Sequence, residues 1–258
     1  MMMGSSGMPA LLRAFSPTSL GLTAWYRSTA TSGDVTQWAD VLGGTAIMFN
    51  AARAATAQAD KALSFNGATP DVGSVQLGAN NFNVNHFAIF LRAKPTAAAG
   101  TQTLFAIMNG TGGAVRCIEI RPTIAAFRVD VYSTSGGDGR RYSYNAQVAA
   151  GVARTWGVEF TSSGATELDR TVVSRDGSIL VPSASVDLGA GGAPLQLVAA
   201  TGRAVFGNFH DSAVASNPFT GLLGWDVFIR AGSRMAGATA GVMTQQARTN
   251  ITTFEPLT

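Results

Sequence analysis

The sequence predicts an all-β fold, a two-sheet antiparallel sandwich of the jelly-roll kind, and three observations lead there. About a dozen short apolar runs follow one another, each closed by Gly, Asn, Asp, Ser or Pro. Several alternate apolar and polar residues with the period of a half-buried strand. Helical composition is sustained only near the C-terminus. No internal repeat or linker calls for a second globular unit, so residues 1–20 are expected to form an N-terminal arm and residues 21–258 one sandwich domain.

The arm is bounded by Gly, Ser and Pro and carries Leu11, Leu12 and Phe15, spaced to dock on a partner surface. Leu22-Thr23-Ala24-Trp25-Tyr26 and Val35-Thr36-Gln37-Trp38 read as strands separated by the turn residues Thr31-Ser32-Gly33-Asp34. Lys61-Ala62-Leu63-Ser64-Phe65 alternates and stops at Asn66-Gly67, a tight-turn signal. Phe87-Ala88-Ile89-Phe90-Leu91-Arg92-Ala93 is nearly continuous apolar, as a strand buried on both faces requires. Strands are further expected around Val75–Leu77, Thr103–Met108, Cys117–Ile120, Ala126–Tyr132 and Arg141–Tyr144. Thr155–Phe160, Arg170–Arg175, Ser178–Val181, Leu195–Val198, Ala204–Gly207 and Gly221–Arg230 complete the series. Asp176-Gly177 marks a hairpin. The Ala-rich stretch 51–62 suits a short helix or a loop over the sheet. Residues 233–251 suit one helix capped by Ser233, with Met235, Val242, Met243 and Ala247 as its apolar stripe.

Composition narrows the function. Hydrophobic residues make up 46% of the chain and charged residues only 13%, about half the usual share of charge. The surface must therefore be built from Ser, Thr, Asn, Gln, Ala and Gly, which suits an assembly or an extracellular setting. The net charge of +3 comes without a basic run; Arg140-Arg141 is the single doublet of note, so nucleic-acid binding is not expected. The N-terminus lacks the pattern of a secretory signal. No window holds the roughly 18 apolar residues of a membrane span. The lone Cys117 reads as a small buried hydrophobe.

Catalysis is not expected. Glycoside hydrolysis needs two carboxyl groups flanking the scissile bond, but Glu167-Leu168-Asp169 is followed by Arg170-Thr171-Val172 without a third acid. Glu119 and Glu159 stand as single acids on strands. His86 and His210 are far apart, and neither lies in a nucleophile-elbow context. One cysteine and two separated histidines exclude a closed structural zinc site. Asp71, Asn80, Asn81, Asp138, Asn208 and Asp211 are the oxygen donors a Ca²⁺ would use, but no Asp-rich loop gathers them, and neither metal nor cofactor is expected.

Carbohydrate recognition asks for an aromatic ring flanked by planar polar groups. Trp25, Trp38, Trp156 and Trp225 all lie in strand patterns and are expected in the core. Arg141, Tyr142, Tyr144 and Asn145, following the Gly-rich stretch 135–139, are the candidate glycan contacts.

The order of segments is informative beyond composition. Phe15-Ser16-Pro17 with Leu20-Gly21-Leu22-Thr23-Ala24-Trp25-Tyr26, then Val35-Thr36-Gln37-Trp38-Ala39-Asp40, resembles the opening of LamG-like, concanavalin A-like lectin/glucanase domains. Leu63-Ser64-Phe65-Asn66-Gly67 and Phe87–Arg92 resemble the next strands of that family, and Phe219–Ile229 its late strand. The resemblance implies two curved antiparallel sheets and is compatible with lectins, hydrolases and structural modules alike. Such domains are frequent in tailed-bacteriophage virion proteins. With the sparse charge and the arm, this makes a non-enzymatic virion protein the leading expectation. It would be a capsid decoration protein on the particle surface, anchored through Leu11, Leu12 and Phe15 to the major capsid protein, another virion subunit or a sister copy. The alternative is a lectin-like module that attaches to a surface polysaccharide.

Overall fold

The computed structural model describes residues 15–27, 33–49, 55–57, 62–67, 73–76, 86–96, 101–109, 116–122, 126–132, 139–161, 163, 165–187, 202–207 and 218–254. A 3-10 turn, Pro17–Leu20, precedes the strands β1 (Ala24–Arg27), β2 (Asp34–Val35), β3 (Gln37–Trp38), β4 (Ile47–Phe49), β5 (Ala55–Ala57) and β6 (Leu63–Asn66). The middle of the chain supplies β7 (Gly73–Gln76), β8 (His86–Pro95), β9 (Phe105–Asn109), β10 (Arg116–Pro122), β11 (Ala126–Tyr132), β12 (Gly139–Asn145) and β13 (Arg154–Thr161). After the one-turn helix α1 (Glu167–Arg170) come β14 (Thr171–Arg175), β15 (Ser178–Ile179), β16 (Ala184–Asp187), β17 (Gly202–Phe206), β18 (Thr220–Ala231) and the helix α2 (Gln245–Phe254).

The strands form two antiparallel sheets. The first runs β15-β14-β13-β8-β18-β6-β5-β2, with β1 also paired to β18; the second runs β16-β12-β11-β10-β9-β17-β7-β4-β3. Of the sixteen strand pairs described, seven join strands consecutive in the sequence and nine join strands remote from one another, the mixture of local and non-local wiring of a sandwich. Strand β18 holds the first sheet together: Leu223 pairs with Leu63, Trp25 with Phe228, and the β8 register shifts between Leu223 and Val227. Gly224 sits at that irregularity with φ of 57°, and a Cβ there would lie 2.4 Å from the Trp38 ring of the opposite sheet. A bulge without a side chain is what lets Trp38 fill the space between the sheets.

Alternation explains the core. Phe87, Ile89 and Leu91 of β8, and Trp156, Val158 and Phe160 of β13, point between the sheets. There they meet Phe105, Phe127, Val129, Tyr142, Tyr144 and Phe206 of the second sheet. Phe127 and Trp156 stack across the gap with centroids 4.1 Å apart. The intervening Ala88 and Phe90 face the other way, into a second cluster with Leu20, Trp25, Phe228, Val242, Met243, Ala247 and Ile251. The first sheet is thus buried on both faces, which is why Phe87–Ala93 carries no polar alternation. Helix α2 and the Pro17–Leu20 turn form the third layer.

Three sequence expectations change. The expected helix over 233–251 begins only at Gln245: Gly237 and Gly241 adopt left-handed backbone (φ 82° and 63°), and Thr244 rather than Ser233 caps the helix, its Oγ1 accepting the Ala247 amide at 3.2 Å. In the Ala-rich stretch 51–62, Ala55–Ala57 is a strand paired to β2 and β6. The expected Ser178–Val181 strand ends at Ile179. The strand expected at Leu195–Val198 lies outside the described residues.

Candidate functional site

Of the two acids that the sequence placed singly on strands, Glu159 holds the fold, and the side chain of Glu119 lies outside those described. Glu159 of β13 is fully buried beneath the third layer. Arg248 of α2 forks onto it, Nε to Oε1 at 2.5 Å and Nη2 to Oε2 at 3.0 Å. The Val242 and Met243 amides donate to the same Oε2 at 2.7 and 2.8 Å. A lone acid in an apolar strand is the signal of such a clamp, but nothing local names its partner 89 residues away. Arg92, equally buried, donates to the Ile251 carbonyl at 2.9 Å near the end of α2. Asp226 accepts the Trp25 indole N–H at 2.6 Å and the Arg27 Nε at 2.8 Å. Asp40 accepts the Trp25, Leu42 and Gly44 amides, so the Trp-x-Asp motif is a turn lock.

The candidate residues for assembly and glycan contact separate into four groups. Leu11 and Leu12 lie outside the described residues. Phe15, expected to dock on a partner, is half-buried and also meets its own sandwich, its ring edge-on to Phe254 at 5.9 Å. The physical reason is the apolar outer face of the first sheet, which needs covering. Tyr142 and Tyr144 are 2% and 1% exposed, so neither can be the exposed stacking ring the sequence suggested. Alternation in Arg141-Tyr142-Ser143-Tyr144 turns both rings into the core and the polar residues outward. Burial, and then Tyr142 beside it, push the Tyr144 hydroxyl pKa up.

That alternation leaves a polar surface on the outer face of the second sheet. Arg141 of β12 forks onto Asp130 of β11, its cross-strand partner, with both contacts at 2.8 Å. Asp130 is fully buried while Arg141 keeps 28% of its side chain exposed. The pair is therefore a guanidinium fixed in orientation with one edge in solvent. One step along the strands, Arg128 stands opposite Ser143 on one side and Arg121 on the other. Arg128 is half-buried, and its Nε lies out of water without a hydrogen-bond partner among the described residues. Asn145 is exposed at the end of β12, its amide held by Ser183 Oγ at 3.1 Å. Arg141 and Asn145, candidates from the sequence, thus face outward; Arg128, Ser143 and the orienting Asp130 were missed. Their signal was the polar phase of Phe127-Arg128-Val129-Asp130-Val131. Unlike the first sheet, this outer face carries no second apolar cluster among the described residues.

Among the described residues no three His, Cys, Asp or Glu side chains are grouped as a metal site would need. No described helix is long and apolar enough to cross a membrane. No protein-family model and no curated protein sequence matches the chain. Solved structures match its shape: the chain is similar to the CBM40 module of Ruminococcus gnavus IT-sialidase, bound to α2,3-sialyllactose. That match has a TM-score of 0.52 and 12% identity over 90% of this chain and 100% of the module. It is also similar to Trypanosoma rangeli sialidase in complex with sialic acid, with a TM-score of 0.60 and 11% identity over 90% of this chain. The chain spans about a third of that sialidase's length, the matched share being 32%. Likeness at this identity shows the fold alone: an antiparallel β-sandwich.

Proposed function

We propose that the protein is a carbohydrate-binding module that holds an acidic glycan on the outer face of its second sheet. The observation that carries the reading is Arg128, a half-buried guanidinium whose Nε has no hydrogen-bond partner among the described residues, beside the oriented Arg141–Asp130 fork. Planar guanidinium groups match carboxylates and vicinal hydroxyls with paired donors. Ser143 and Asn145 add neutral hydrogen-bonding groups at the same face, and the net charge of +3 favours an anionic ligand. The reading is supported by the sialyllactose and sialic acid bound to structures of the same fold. It needs no catalytic group: the carboxylates of Glu159, Asp130 and Asp226 are each buried and held in an ion pair.

The test is calorimetric titration with 3′-sialyllactose and with lactose. The chain should bind the sialylated sugar and not lactose. A hydrogen bond to a charged group is worth about 1.5–3 kcal/mol, so Arg128→Ala should weaken binding roughly 10- to 150-fold without altering the melting temperature. Equal binding of both sugars, or unchanged affinity in Arg128→Ala, would refute the site.

A virion assembly role is the second reading. It keeps the low charge density as support, while Phe15 already has one contact within the sandwich. Deletion of residues 1–14 distinguishes the two, because it should abolish incorporation into particles under the assembly reading and leave sialyllactose binding intact under the first.

A further inference from the structure

Where β8 begins, the first sheet gathers cations and hydroxyls that neither the core nor the glycan face uses. His86 opens β8 opposite Thr161, the last residue of β13. The Gly232 amide donates to the His86 carbonyl at 3.0 Å, which sets Arg230 and Arg234 two residues to either side of that contact. Arg230 pairs in register with Ala88, two residues from His86 along the same strand. Ala88 faces the outer cluster, and strand alternation puts His86 and Arg230 on that face too.

The hydroxyl chain is short and constrained. His86 Nδ1 lies 2.8 Å from Thr161 Oγ1, which lies 3.0 Å from Ser163 Oγ and accepts the Ser163 amide at 3.3 Å. Thr161 is fully buried and Ser163 exposed. A hydroxyl has one proton and two lone pairs, and one lone pair of Thr161 is already taken. With Nδ1 bare, Thr161 donates to His86 and Ser163 donates to Thr161, so Ser163 offers only lone pairs outward. With a proton on Nδ1 the chain reverses, and the Ser163 hydroxyl turns its proton outward as a donor.

The surrounding charge is one-sided. From β18 comes Arg230, tied to the Leu20 and Ser233 carbonyls. Beyond it comes Arg234, which donates to the Ala238 carbonyl at 3.1 Å while its Nε is buried without a partner among the described residues. From β13 comes Glu159, already engaged by Arg248. From the α1 turn comes Asp169, whose carboxylate accepts the Thr166 amide. Among the described residues no carboxylate forms an ion pair with Arg230 or Arg234; Glu159 acts on Arg230 only through space, and burial outweighs it there. Burial first, then Arg234 and Arg230, lower the His86 pKa, as an uncompensated cationic site would.

We infer that His86, Arg230, Arg234 and Ser163 form a binding site for a tetrahedral oxyanion of the sulfate type, taken up together with a proton on His86. The anion accepts from the arginines, from the imidazolium and from the reversed Ser163 hydroxyl, and it supplies the negative charge the cluster lacks. Proton and anion then bind cooperatively, each raising the affinity of the other by the same factor. This site lies on the first sheet and stands independently of the glycan face.

The experiment is an NMR titration of the His86 Cε1–H in sodium sulfate and in sodium chloride of matched ionic strength. His210→Gln leaves a single histidine signal. Sulfate should raise the His86 pKa by about 0.5 or more, a roughly threefold gain in proton affinity, and Arg234→Gln should remove most of that rise. Galactose 6-sulfate as a second probe separates sources: a rise with both marks a sulfate ester as an acceptable ligand, and a rise with inorganic sulfate alone marks the free ion. The same factor should appear in sulfate affinity measured below and above the histidine range, which needs no variant. Identical titration in sulfate and chloride, or a full rise retained in Arg234→Gln, overturns the site.

Discussion

Replacing Arg248 by methionine tests how the helical layer is fixed to the sheet. Arg248 and Glu159 are 1% and 0% exposed, so solvent screening does not soften their loss. Breaking a buried pair by removing one partner costs about 3–5 kcal/mol, because a charge is stranded. Here the carboxylate keeps two amide donors, Val242 and Met243, so we expect the lower end, about 3 kcal/mol. A chain of this length has a urea slope of about 3 kcal/mol/M, which makes the expected midpoint fall roughly 1 M. The added change Glu159→Gln should then restore at least half of the loss. It removes the stranded charge and keeps an oxygen for the two amides. Equilibrium urea denaturation followed by tryptophan fluorescence reads both. A loss below about 1 kcal/mol for Arg248→Met, or a double variant less stable than the single one, would refute stranded charge as the cause.

Two further substitutions probe the frame. Asp40→Ala orphans the Trp25, Leu42 and Gly44 amides. At about 1 kcal/mol per bond and roughly 2–4 °C per kcal/mol, the melting temperature should fall by about 6–12 °C, with Asp40→Asn falling less than half as far. Gly157→Ala places a Cβ 2.3 Å from Phe90 Cε1 and 2.4 Å from Ser174 Oγ. That overpacking of the outer cluster should cost about 1–3 kcal/mol in urea denaturation.

Strand segments and hairpins were legible because their signals are local. The Asp176-Gly177 turn needs left-handed backbone at both positions and has it, at φ of 51° and 81°. The continuous apolar run of β8 announced a strand covered on both faces. The candidate site was legible in part. The alternation of Arg141-Tyr142-Ser143-Tyr144 already contained the correct facing, but attention to the rings as sugar platforms obscured it. Arg128 and Asp130 went unnoticed because nothing in β11 says which face of its sheet is left open.

The sequence by itself determined the class of fold and most of its strands and turns, since hydrophobic period and turn chemistry act within a few residues. Only the tertiary structure decided which acids are clamps, where α2 starts, and which sheet face stays polar. Those depend on contacts such as Glu159–Arg248 and Trp25–Asp226, closed across 89 and 201 residues. Burial by distant segments, rather than local pattern, assigns each charged side chain its partner.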